Sequence, residues 1–257
     1  MPALVQLLPF LPLGLLAGVL SGLLGIGGGV IFSPLLLLAG LAPHQALATS
    51  TLAIVPTTLA STITLRRAGS LRSRPCLVMA AAAAAAGLAF SRLGSLLPAA
   101  PLLALQALMY VVISCTLRPR SPLSPEVGMP SEQRLVALAG VGALAGLTSG
   151  LLGVGGGLVM VPLLVRGLAL PIHQAIPLST VAVLSSALVA SLAFLLDGRA
   201  EPWIGLLLGG TAAFGSQWAA QRLQRVSGQR LFQLLRAVTV AVACDSGRRC
   251  LQLLQAG

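Results

Sequence analysis

One nine-residue stretch occurs twice in this chain and limits what the chain can fold into. The first copy is Ser21-Gly22-Leu23-Leu24-Gly25-Ile26-Gly27-Gly28-Gly29, followed by apolar residues and Pro34. The second is Ser149-Gly150-Leu151-Leu152-Gly153-Val154-Gly155-Gly156-Gly157, followed by apolar residues and Pro162. Within the stretch only Ile26 against Val154 differs. Each glycine in a helix costs about 1 kcal/mol relative to alanine, yet both triplets lie inside long apolar segments. The duplication extends further. Pro43-His44-Gln45-Ala46 matches Pro171-Ile172-His173-Gln174-Ala175 with one inserted residue, and Ser50-Thr51 matches Ser179-Thr180. Gly69 then matches Gly198, and Gly87 aligns with Gly215. Duplicated halves of this kind are common in secondary transporters.

Hydropathy supplies the class. The 257 residues are 56% hydrophobic and 8% charged, with a mean hydropathy of +0.97. Soluble domains carry about 25% charged residues, so this chain lacks the polar surface to face water on all sides. Apolar runs of about 20 residues, long enough to cross a hydrocarbon core, recur along its length. The reading is an all-α, polytopic transmembrane helical bundle, multi-pass in a cell membrane of the bacterial inner-membrane type. The net charge of +11 comes from arginines at the ends of apolar runs, which suits membrane topology and anionic lipid headgroups rather than nucleic acid. Cys76, Cys115, Cys244 and Cys250 show no CxxC spacing, so neither disulfide nor metal site is expected. No cofactor is implied. The stretch Met1 to Leu20 lacks a positive n-region and is read as the first membrane segment, not a removed signal peptide.

About eight membrane segments are expected, in two repeated halves, with helices broken at the glycine-rich motifs. The first transmembrane repeat covers residues 1–117, a proline-rich cytoplasmic linker covers 118–134, and the second repeat covers 135–257. The stretch from about Leu4 to Leu41 is too long for one perpendicular crossing, which favours a break or bend between Gly25 and Pro34. The Arg66–Arg74 loop and the linker hold seven of the sixteen arginines. Four crossings per half would put both clusters and both termini on the cytoplasmic side. Arg222, Arg225 and Arg230 oppose that count. A hairpin of two half-helices at each motif would change the orientation of the halves.

Several residues are candidates for chemistry. Glycines let backbone N–H groups line a concavity, and half-helix N-termini carry partial positive charge; both suit an anion. Gly25, Gly27, Gly28, Gly29, Gly153, Gly155, Gly156 and Gly157 are therefore candidate substrate-binding residues. Close helix packing of the small-xxx-small kind is the competing reading, which Gly18/Gly22 and Gly146/Gly150 also fit. Ser50, Thr51, Ser179 and Thr180 could hydrogen-bond a permeating ion, or be satisfied by their own helix carbonyls. His44 and His173 could bind an anion or relay a proton; the simpler and favoured reading is that each opens its following helix. Asp197 and Glu201 flank a loop. No paired carboxylates, His cluster or activated serine appear within the spans, so the chain does not read as an enzyme.

Two Gly-x-x-Gly-x-Gly-Gly-Gly motifs with following prolines resemble the sulfite exporter TauE/SafE family, as do the His-Gln-Ala and Ser-Thr pairs and the Gly215-to-Arg230 region. The resemblance implies a membrane transporter for small inorganic or organosulfur anions, such as sulfite or sulfonates. An anion channel and a non-transporting membrane scaffold are the alternatives. The direction of transport and the oligomeric state are not legible.

Overall fold

Glycines and prolines divide the apolar segments into α-helices in a computed structural model that describes residues 11–71, 73–116 and 131–255. In order these are α1 (Leu11–Leu24), α2 (Gly29–Leu38), α3 (Pro43–Arg67), α4 (Ser73–Leu96) and α5 (Ala99–Thr116). Their counterparts are α6 (Ser131–Leu152), α7 (Gly157–Gly167), α8 (Ile172–Leu196), α9 (Pro202–Arg222) and α10 (Gly228–Gln255). A single 3₁₀ turn, Leu223–Arg225, precedes α10, and no strand occurs among the described residues. The expected all-α bundle with helices broken at the motifs is what forms.

Both motifs break their segments at the triplet, and each break is a reversal. Gly14, Gly18 and Gly22 of α1 pack on Thr211, Ala212 and Ser216 of α9, while Gly209 and Ser216 of α9 meet Ala53 and Thr57 of α3. Contacts that advance together mean that α1, α3 and α9 run parallel. The short α2 must therefore run against them. It starts beside Ile54, where Gly29 touches that side chain, and residues 39–42 separate its end from the start of α3. In the second half, Gly142, Gly146 and Gly150 of α6 advance along Met79, Ala83 and Gly87 of α4. The small-xxx-small packing thus belongs to the helices that precede the triplets, and the triplets themselves form the turns.

This geometry sets the topology. Each motif segment enters and leaves at one end of the bundle, so α1/α2 and α6/α7 are re-entrant hairpins. With each hairpin taken as one segment, eight membrane segments result. Three crossings (α3, α4, α5) then separate the hairpins, and the second half is inverted relative to the first. The arrangement with both termini beside the Arg66–Arg74 loop is corrected accordingly: α1 enters from the opposite end, and α10 leads away from the arginine-rich end. The correction also removes the conflict over Arg222, Arg225 and Arg230. They now share an end with Arg66, Arg67, Arg74, Arg134 and Arg166, whereas Arg92 and Arg199 lie at the other. The last helix, α10, runs on to Gln255. Residues 1–10 of the first segment, and the linker up to residue 130, lie outside the described residues.

Burial separates central helices from peripheral ones. Four helices are long and apolar enough by themselves to cross a membrane: Pro43–Arg67, Arg74–Gly94, Gln133–Leu152 and Ile172–Leu196. The first is the least apolar of them (hydropathy 1.4) yet the most enclosed, 67% buried against 28% for Arg74–Gly94. Most of its polar residues are tolerated there because Thr51, Thr57, Thr58 and Thr64 each donate to the carbonyl four residues back, which satisfies those hydroxyls inside the bilayer; the buried Thr62 hydroxyl has no such partner. The outer surface exposes Leu77, Leu196 and Phe214, a normal surface for hydrocarbon but not for water. Trp203 and Trp218 bracket α9, and both are exposed. The Arg222 guanidinium carbon lies 4.0 Å from the Trp218 ring centroid, a pairing suited to the headgroup interface.

Candidate functional site

The two glycine turns meet in the middle of the bundle. A Cβ on Gly157 would fall on the Gly25 carbonyl oxygen and on Ile26, and one on Gly29 would lie 2.8 Å from the Val154 carbonyl oxygen. Only glycine allows this backbone-on-backbone crossing. Gly28 and Gly156 cap α2 and α7 with φ of 79° and 67°, in the left-handed region that other L-residues enter at a cost of about 1–2 kcal/mol. Local propensity and tertiary contact thus require the same residue, which is why the sequence keeps three glycines in a row.

The turns leave donors free. Gly25 N–H closes on the Ser21 carbonyl at 2.8 Å, and Ile31 and Phe32 N–H both close on the Gly28 carbonyl. Between those bonds, the N–H groups of residues 26–30 meet no protein acceptor among the described residues. In the second half Gly153 N–H closes on Ser149, and Val159 and Met160 close on Gly156. Residues 154–158 are left open in the same way. All ten residues are buried. A buried donor without a partner costs about 1–3 kcal/mol, and runs of open amides at helix N-termini are anion-binding geometry. Two further unpartnered groups belong to the same motifs: the hydroxyls of Ser21 and Ser149, which are 1% and 0% exposed and have no hydrogen bond.

Ser50 and Ser179 join the halves. Ser50 Oγ lies 2.7 Å from the Gly153 carbonyl oxygen, and Ser179 Oγ lies 3.0 Å from that of Gly25. Each also approaches its own helix, at Leu47 and Ile176. Each α3/α8 serine therefore steadies the opposite half's turn, related by the pseudo-two-fold axis. Thr51 and Thr180 donate to the Leu47 and Ile176 carbonyls, the self-satisfied arrangement. The candidate glycines Gly25, Gly27, Gly28, Gly29, Gly153, Gly155, Gly156 and Gly157 are thus brought together with Ser50 and Ser179. Thr51 and Thr180 sit one position on, turned to their own backbone.

Sequence reasoning missed the apolar pair at the centre. The Ile54 side chain touches Gly27, Gly29 and Gly155, and Val183 touches Gly27 and Gly155. Both are fully buried. They occupy matching repeat positions, a signal readable once the Ser-Thr pairs are aligned. The histidines part company: His173 Nε2 donates to the Val226 carbonyl at 2.9 Å, at the α9–α10 turn, while His44 lines a cleft at the opposite end. Asp197 pairs with Arg199 at 2.6 Å, and the Glu201 backbone N–H is received by Thr49 Oγ1 at 2.9 Å.

Comparison with known proteins gives the family. The family profile described as sulfite exporter TauE/SafE matches residues 10–245. A probable membrane transporter protein, YunE of Bacillus subtilis (strain 168), is 23% identical over 91% of this chain and 94% of its own length. Two probable membrane transporter proteins of Xylella fastidiosa, from strains Temecula1 and 9a5c, are each 30% identical over 70% of this chain and 70% of theirs. No solved structure matches. A profile spanning nearly every described helix, on a chain whose two glycine turns meet at its centre, places this multi-pass membrane protein in the sulfite exporter TauE/SafE family.

Proposed function

We propose that the chain is a membrane transporter that carries small anions, sulfur oxyanions or organosulfonates, across the cell membrane, binding them between the two glycine turns. The observation that carries this reading is the set of open, buried amides at residues 26–30 and 154–158. An anion there gains donors from two helix N-termini without needing a cationic side chain. Ser50 and Ser179 position the turns, and Thr51 and Thr180 support the helices behind them. The arginine-rich end is cytoplasmic by the positive-inside rule, which keeps the 118–134 linker, between the repeats 1–117 and 135–257, in the cytoplasm.

A carrier is favoured over a channel because Ile54 and Val183 fill the space between the turns. Entry of the anion between the turns, and its passage, then require the inverted halves to move relative to each other, as in other inverted-repeat transporters. Proteoliposome flux with radiolabelled sulfite, thiosulfate and sulfoacetate tests the reading. Saturable flux that Gly28→Ala and Gly156→Ala abolish is expected. Non-saturable flux would support the channel, and absence of flux for every anion would support a scaffold.

A further inference from the structure

At the end of the bundle away from the arginine-rich loops, a narrow cleft opens between the start of α3, the ends of α4 and α8, and the last turns of α6. Its walls are apolar, chiefly Leu47, Leu102 and Phe194, and its remaining lining includes Gly150 of the second motif together with His44 and Arg199. Arg199 is held in place but left incomplete. Its Nη2 donates to Asp197 at 2.6 Å and lies 3.4 Å from the Ser91 carbonyl, and its guanidinium carbon lies 4.7 Å from the Phe194 ring centroid. Its Nε is buried with no hydrogen-bond partner. Unlike a hydroxyl, that N–H cannot swing to a neighbouring carbonyl, because the guanidinium is planar and already fixed by its other contacts.

The repeat makes this cleft distinctive. Arg199 aligns with Ser70 in the first half, so the duplicated fold does not require a cation there. The related place at the arginine-rich end is closed: His173 is bonded to the Val226 carbonyl, and Gly228 packs beside Ile172 and His173. His44 lines the open counterpart, three residues before Leu47, whose carbonyl both Ser50 and Thr51 approach.

We propose that this cleft is a second anion site, a docking position for the transported oxyanion or sulfonate before or after it occupies the glycine turns, with Arg199 as its cationic ligand. The proposal rests on the small-anion reading above. The guanidinium lines the cleft and its side chain keeps 19% exposure, so it can supply a charge-assisted hydrogen bond to one anionic oxygen, and Asp197 tempers the charge so that the anion is not trapped. A lipid phosphate offers the same chemistry, but Gly150 in the lining puts the site beside the substrate turn, and the free anion is the assigned occupant.

The test measures sulfite flux from each face in right-side-out and inverted membrane vesicles, for wild type, Arg199→Gln and Asp197→Asn. Arg199→Gln is expected to raise KM from the cleft face by roughly ten-fold or more, the effect of one charge-assisted hydrogen bond, with kcat nearly kept and the opposite face unchanged. Asp197→Asn should lower KM on that face, since it frees the guanidinium. A merely structural Arg199–Asp197 pair predicts that both variants move KM together or not at all, which would overturn the proposal. So would an unchanged KM accompanied by loss of stabilisation by phosphatidylglycerol, the result expected of a lipid site. Phenylglyoxal labelling of Arg199 in wild-type protein, read by mass spectrometry, needs no variant to fold. Sulfite should protect Arg199, and no protection by sulfite, thiosulfate or sulfoacetate would sink the cleft site even if flux were absent. Wild-type flux without these effects refutes the cleft and leaves the transport reading standing.

Discussion

Gly28 and Gly156 carry the sharpest single-residue consequences. Each caps a half-helix with positive φ, and a Cβ would lie 2.8 Å from the Phe32 ring at the first and 2.5 Å from the Ala145 carbonyl oxygen at the second. Alanine at either position therefore meets backbone strain of about 1–2 kcal/mol and a steric clash in the turn. Both variants should reach the membrane and lose flux by more than ten-fold. Gly140→Ala and Gly210→Ala, where an added Cβ meets nothing within 4 Å, should transport as wild type. Wild-type flux in the capping variants would contradict the role of the turns. Ser50→Ala and Ser179→Ala each remove one bond between halves, an expected loss of about 1 kcal/mol, visible as a lower melting midpoint in detergent. An unchanged midpoint would show that the serines bond only to their own helices.

At the scale of elements, the hairpins decide which loops share a side. In a protein with its native cysteines replaced by alanine, single cysteines at Ser70 and Ser227 should react with an impermeant thiol reagent from one face. Cysteines at Ala42 and Glu201 should react from the other. Labelling of the Ser70 and Ser227 positions from opposite faces would refute the re-entrant geometry. Much of this level was legible in the sequence. The repeat, the breaks at the triplets and the long α3, α4 and α8 follow from glycine cost and hydropathy alone. The direction of each half-helix was not, because a broken span and a re-entrant hairpin have the same composition. What distinguishes them is which glycines touch which partner helix, and only packing fixes that. The site was partly legible for the same reason. Repetition marks Gly25–Gly29, Gly153–Gly157 and the Ser-Thr pairs, but not that Ser50 and Ser179 reach across to the other half's carbonyls, nor that Ile54 and Val183 lie between the turns. Arg199 aligns with Ser70 rather than with a second cation, so only its enclosure draws notice.

Over the whole molecule, two inverted halves meet at one centre but close differently at their ends. His173 latches α8 to the α9–α10 turn, whereas His44 lines a cleft at the opposite end. Because Gln keeps a donor for Val226, replacing both histidines with Gln should leave flux and its pH dependence nearly intact. His173→Ala, which removes the latch, should alter rates at the arginine-rich face. Abolished flux in the well-folded double Gln variant would make the histidines part of the anion path. The central claim, that backbone amides of the two turns hold the anion, is open to a direct measurement: anomalous diffraction from crystals grown with selenite, a heavier analogue of sulfite. The account predicts a selenium peak between the turns, with oxygens about 3 Å from amide nitrogens of residues 26–30 and 154–158. A peak found only elsewhere, with the two turns still packed on each other and those amides unoccupied, would contradict it.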